Sequence, residues 1–155
     1  MDKPRVLISL CLLGAQCRYD GQCKPPLAEL ALLQARFDLI PICPEQLGGL
    51  ATPRHPAERR GSRVVTASGV DVTDAYARGA QQVLQLARQF SCRAAILKAK
   101  SPACGSGQIY DGSFSRHLVP GWGVAAQLLR ESGLLVCDET QIGWLWRNFP
   151  MLKKS

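Results

Sequence analysis

A chain of 155 residues is the size of one domain. With 46% hydrophobic and 20% charged residues, its composition is that of a globular protein and excludes intrinsic disorder. The net charge of +7 is a mild attraction to phosphates or acidic partners, short of the dense basic stripe of a dedicated nucleic-acid binder. The distinctive number is seven cysteines beside two histidines. An odd number cannot pair completely, the density is below that of a disulfide scaffold, and a histidine-rich zinc site is excluded.

Residues 1–13 have the outline of a signal peptide, but the apolar run is short and Gln16 before Cys17 is wrong for a lipoprotein cleavage site. Val6-Leu7-Ile8-Ser9-Leu10 reads instead as a strand buried on both faces. No run is long enough to span a membrane, so the expected location is the cytoplasm, where thiols stay reduced and serve metals or catalysis. The spacing of Leu27, Leu30, Ala31, Leu33 and Phe37 predicts a helix over 26–36, with Pro25 and Pro26 at its start. A second strand covers 37–42. Residues 43–63, rich in proline and glycine, read as a long functional loop. Val64-Val65-Thr66 and Val70-Asp71-Val72 flank Ser68-Gly69 as a small hairpin. Asp71 or Thr73 then caps a helix to about residue 90, with Ala75, Tyr76, Ala80, Val83, Leu84 and Ala87 facing inward.

A third strand covers 94–98 and a second glycine-rich loop 101–112. A helix over 123–132 closes at Gly133, a fourth strand covers 134–136, and a last helix covers 139–147. Strands alternating with helices predict one α/β domain over 1–155: a mostly parallel sheet with helices on both faces, a Rossmann-like three-layer arrangement. In such folds the site lies beyond the carboxyl ends of the strands.

Cys11 follows the first strand, Cys43 the second, and Cys104 lies in the loop after the third, so parallel strands bring all three to one sheet edge. Glu45 stands two residues past Cys43. The turn Ser101-Pro102-Ala103-Cys104-Gly105-Ser106-Gly107 offers hydroxyls and backbone N–H groups to sulfide or an anion, and Lys98 and Lys100 precede it. Cys17 and Cys23 continue an even spacing from Cys11 that suits a local metal loop, but the residues between them read as a turn. Cys92 reads as structural and Cys137 as core. Three thiolates select zinc, copper(I) or an iron–sulfur cluster. A 4Fe-4S cluster on three cysteines keeps one iron open as a Lewis acid with an affinity for sulfur. Two alternatives stand beside this: a non-catalytic zinc or iron–sulfur binding module, and a metal-free enzyme using Cys104 or Cys43 as a thiol nucleophile.

The segments Cys11-Leu12-Leu13-Gly14, Cys17-Arg18-Tyr19-Asp20-Gly21, Pro41-Ile42-Cys43-Pro44-Glu45, Gly48-Gly49-Leu50, Thr52-Pro53-Arg54, Pro56-Ala57-Glu58, Asp71-Val72-Thr73 and residues 98–112 resemble the TudS-type thiouracil desulfidases. The likeness runs from about residue 6 to 135. It implies a 4Fe-4S cluster on Cys11, Cys43 and Cys104, and removal of sulfur from thiolated uracil without net redox change. The sulfur would bind the open iron and leave as hydrogen sulfide. Glu45 matches the family's acid/base carboxylate and Ser101 its assisting hydroxyl. The expected partner is a small thiolated pyrimidine: a base such as 2- or 4-thiouracil, the nucleoside 4-thiouridine, or its 5′-monophosphate. Nucleic acid is not expected without a further domain, and a homodimer is compatible. Arg54, with Arg59, Arg60 and Arg63, is a candidate phosphate grip. Lys98, Ser106, Tyr110 and Asp111 are candidate substrate contacts, and His55 and His117 read as surface residues.

Overall fold

In β1 (Arg5–Ser9), Val6, Leu7 and Ile8 are fully buried, as the unbroken apolar run requires of a strand covered on both faces. The computed structural model describes residues 3–22 and 24–149. There β1 is an inner strand of a four-stranded sheet ordered β2-β1-β5-β8, with β2 (Asp38–Ile42), β5 (Ala94–Leu97) and β8 (Leu135–Asp138). Every pairing is parallel. Side chains alternate between faces along each strand. Leu7 and Ala95 join Val83, Leu84, Ala126 and Leu129, beneath α3 (Thr73–Gln89) and α4 (Val124–Glu131). Val6, Ile8, Ala94 and Ile96 join Leu33, Phe37, Ile142, Leu145 and Phe149, beneath α1 (Leu30–Arg36) and α5 (Ile142–Asn148). The three-layer expectation is met, with one apolar core on each face.

The chain leaves β1 toward β2 and later returns to β1's other side as β5. Strand order therefore reverses between β1 and β5, and the crevice of an open α/β sheet forms at such a reversal. Among the described residues no helix is long and apolar enough to cross a membrane.

The structure departs from the periodicity in five places, one of them the last helix, which begins at Ile142 rather than 139. Helix α1 begins at Leu30 rather than 26. Pro25 and Pro26 carry no N–H, and the Leu27 N–H bonds to the Leu12 carbonyl, which holds that segment out of the helix. The 43–63 stretch is not one loop: it contains α2 (Pro44–Leu47) and β3 (Ala57–Arg60). Strand β4 (Arg63–Thr66) takes its antiparallel ladder from β3, while residues 70–72 contribute a single bridge, Val65 to Asp71. Finally, β6 (Ser106–Tyr110) and β7 (Leu118–Trp122) form a second hairpin inside the predicted glycine-rich loop and beyond it.

Candidate active site

Three short connections carry Cys11, Cys43 and Cys104 past the carboxyl ends of the strands. Cys11 sits in a 3-10 turn, Leu10–Leu13, directly after β1; Gly14 closes the turn at φ 88°, a left-handed conformation suited to glycine. Cys43 is the residue before α2, with Pro44 at the first helical position where its missing N–H costs nothing. Helix α2 lies unusually close to α3: a Cβ on Gly79 would fall 2.0 Å from the Pro44 carbonyl oxygen, and one on Gly48 equally close to that of Ala75. Cys104 is in a turn built around Ser101. The Ser101 hydroxyl oxygen accepts the N–H groups of Ala103 at 3.1 Å and Cys104 at 3.0 Å, and its carbonyl accepts Gly105 N–H at 2.8 Å. The start of α4 seals this turn, because Gly123 lets the backbone pass where a Cβ would be 2.6 Å from the Cys104 nitrogen.

Cys43 and Cys104 are buried and Cys11 is partly so. A fourth thiol joins them: buried Cys17, whose spacing suits a local metal loop and whose neighbours suit a turn, hydrogen-bonds with both Cys11 and Cys43. That shared hydrogen bonding pushes the Cys17 thiol far up while holding Cys11 and Cys43 below the ordinary thiol value. Cys104 is raised by burial and by Glu45, and a hydrogen bond from Ser9 opposes the shift. Cys23 lies outside the described residues. Cys92 packs in the core under α3 and α4, and Cys137 in the core on the other face.

Glu45 faces these thiols. One carboxylate oxygen lies 3.9 Å from the Cys43 sulfur, the other 3.6 Å from an Arg54 guanidinium nitrogen. Its side chain is only 12% exposed, so burial raises its pKa, and Arg54 opposes the rise. Arg54 also donates to the carbonyls of Cys17 and Ala51 and to the Thr52 hydroxyl, tying the Cys17 loop to the Glu45 helix. Tyr76, read as a core residue of α3, places its phenol within the field of Glu45, Arg54 and Cys104, and burial raises its pKa.

Lys98 lies at the same edge: its charge acts on Cys11, and its ammonium pairs with Glu139 at 2.6 Å. Glu139, just past β8, also accepts the Ala99 N–H at 2.7 Å. A single carboxylate after a strand carries no sequence signal, so Glu139 was legible only once β8 lay beside β5. Ser106 opens β6 two residues past Cys104; its buried hydroxyl is the one buried side-chain N or O atom among the described residues without a hydrogen-bond partner. Tyr110 stands four residues further along β6, about 13 Å away at strand rise. The Asp111 carboxylate is taken by the Ser113 N–H and hydroxyl. The remaining arginines fasten the two hairpins: Arg59 donates to the Gly61 and Trp122 carbonyls, Arg60 to the Gly112 carbonyl, and Arg63 pairs with Asp71.

Among the described residues, no three His, Cys, Asp or Glu side chains stand as ligands around a single metal ion. A multinuclear cluster differs, because each iron takes its own thiolate and the ligands stand further apart. The donors here are soft sulfur from three separate connections, with a partnerless buried hydroxyl two residues from one of them. That donor set fits an iron–sulfur cluster.

Comparison with known proteins agrees. The family profile of 2-thiouracil desulfurases matches residues 6–141. The chain is 41% identical over 147 residues to the uncharacterized protein YbbK of Bacillus subtilis (strain 168), covering 88% of this chain and 97% of YbbK. A solved structure titled as a [4Fe-4S]-dependent thiouracil desulfidase, TudS, superposes with a TM-score of 0.91 at 44% identity, over 96% of this chain and 99% of that one. The chain belongs to the 2-thiouracil desulfurase family.

Proposed function

We propose that this protein is a desulfidase that replaces the sulfur of a thiolated uracil compound by oxygen, giving the uracil compound and hydrogen sulfide. The observation that carries the reading is the buried Glu45 carboxylate, ion-paired to Arg54, beside the three strand-end cysteines. Cys11, Cys43 and Cys104 would hold a 4Fe-4S cluster, which when bound supplies a soft Lewis acid toward sulfur.

The chain's own residues then handle water and protons. Glu45, its pKa raised by burial yet kept ionisable by Arg54, takes a proton from a water molecule as the water oxygen bonds to the ring carbon. The same carboxyl returns that proton to the sulfur as the carbon–sulfur bond breaks, and the proton of the newly added hydroxyl follows it as the carbonyl forms, so that the sulfur leaves as hydrogen sulfide. One water is consumed, one hydrogen sulfide is released, and no atom changes oxidation state overall. Ser101 uses its oxygen to shape the Cys104 turn, which leaves its single hydroxyl proton to donate toward substrate. Lys98, fixed by Glu139, places positive charge where an anionic sulfur leaves. The partnerless Ser106 hydroxyl is a further donor, and Tyr110 and Asp111 stand on the β6–β7 hairpin as more distant contacts. The tied-up arginines favour a base or nucleoside over the 5′-monophosphate.

The test is anaerobic reconstitution with iron and sulfide, followed by assay of uracil and hydrogen sulfide from 2-thiouracil, 4-thiouracil and 4-thiouridine. Turnover by the loaded protein and none by the iron-stripped protein is expected. Equal activity without iron would replace this reading by a thiol enzyme, and a loaded but inactive protein by a binding module.

A further inference from the structure

Ser9 ends β1, the strand between β2 and β5, and the residue is 2% exposed. Its hydroxyl oxygen lies 2.9 Å from the Lys98 N–H, just past β5, and 3.5 Å from the Cys104 sulfur. A hydroxyl has one proton and two lone pairs, whereas a backbone N–H can only donate. The Lys98 N–H therefore occupies an oxygen lone pair, and the hydroxyl proton points at sulfur. The Lys98–Ala99 backbone is itself held from β8, where Glu139 accepts the Ala99 N–H at 2.7 Å and the Lys98 ammonium at 2.6 Å. Three strand ends thus converge to aim one proton at Cys104.

Cys104 is 3% exposed, so water cannot solvate a thiolate there, and a buried charge needs a donor. We propose that Ser9 is a positioning residue for Cys104 that donates its hydroxyl hydrogen bond to the ligating sulfur, holds it in orientation and withdraws electron density from it. This rests on the reading of Cys104 as a cluster ligand. Hydrogen bonds to the sulfurs of a cluster's cysteines set its reduction potential, and partners behind the ligands set how firmly metal is kept.

The test uses the reconstituted, anaerobic holoprotein and its Ser9→Ala and Ser9→Thr variants, each checked by thermal melting. Ser9→Ala should lose iron to a chelator roughly ten-fold faster than the parent and show a lower cluster reduction potential. Ser9→Thr, which keeps the hydroxyl, should restore both. In the parent, an iron–cysteine sulfur stretching band should shift on exchange into D2O, and this shift decides the matter if Ser9→Ala does not fold. Unchanged iron release and potential in a folded Ser9→Ala would overturn the proposal. So would a Ser9→Thr that behaves like alanine, or a parent band that does not move in D2O. A parent that takes up no iron would overturn this proposal together with the cluster reading, whereas a parent that loads and turns over while Ser9→Ala matches it would sink this proposal alone.

Discussion

Replacing Gly79 by alanine sets two effects of opposite sign against each other. Gly79 is buried mid-way along α3, and alanine is the better helix former by about 1 kcal/mol. A helix considered alone would therefore gain stability. The Cβ, however, would fall 2.0 Å from the Pro44 carbonyl oxygen and 2.9 Å from its carbon, roughly 1.5 Å inside an ordinary contact. The obstructing atoms are backbone, with no rotamer to yield, and they lie between Cys43 and Glu45. Overpacking of this kind costs about 1–3 kcal/mol, more where the neighbour is rigid, so a net loss of about 1–2 kcal/mol is expected. For a chain of this size that is a fall of about 2–8 °C in melting temperature. Iron retention should fall too, because separating α2 from α3 moves Cys43, a ligand in the proposed cluster site. Differential scanning calorimetry and iron analysis read the two effects, with Gln82→Ala, at an exposed position of the same helix, as the control. A Gly79→Ala protein that melts at or above the parent and holds its iron would refute the steric account.

Glu45→Gln should bind iron like the parent and lose about 10²–10⁴-fold in turnover; iron analysis with a hydrogen sulfide assay checks this, and parental activity would remove Glu45 from the chemistry. Because Arg54, Arg59, Arg60 and Arg63 already hold carbonyls or carboxylates, kcat/KM for 4-thiouridine 5′-monophosphate should lie within roughly ten-fold of that for 4-thiouracil, under about 1.4 kcal/mol of phosphate recognition. A larger preference for the nucleotide would mean that an arginine leaves its partner. Burial pushes the Cys92 thiol up to about 11 and that of Cys137 to about 12, above the unfolded value of 9.0. Both raised groups favour the fold while protonated, so their contribution is whole below about pH 9 and is lost as pH rises through 11 to 12. Melting temperature should drop over that window, and less so in Cys92→Ala/Cys137→Ala; at pH 8 iodoacetamide should leave both thiols of the native protein unlabelled.

Much of the site was legible in the chain. Unbroken apolar runs such as Val6-Leu7-Ile8 mark strands covered on both faces, and helices between them force parallel order, which carries Cys11, Cys43 and Cys104 to one edge whatever the packing details. The order of short motifs around those cysteines pointed to the same family. Hydrophobic period reports burial, however, and is silent about partners. Ala57-Glu58-Arg59-Arg60 and Leu118-Val119-Pro120-Gly121-Trp122 show no clean alternation, and they become strands only because β4 and β6 pair with them. Cys17 carries two readings, a metal loop by its spacing and a turn by its neighbours Arg18-Tyr19-Asp20-Gly21; Arg54, reaching from a distant segment to the Cys17 carbonyl, ties its loop to the site beside Cys11 and Cys43. Ser9, Lys98 and Glu139 form one network across three strand ends that are far apart in sequence, so no local pattern announces it. What a residue is and whether it is buried are properties of the local chain. What a thiolate or carboxylate faces, and therefore its charge and its task, is settled by which strand lies beside which.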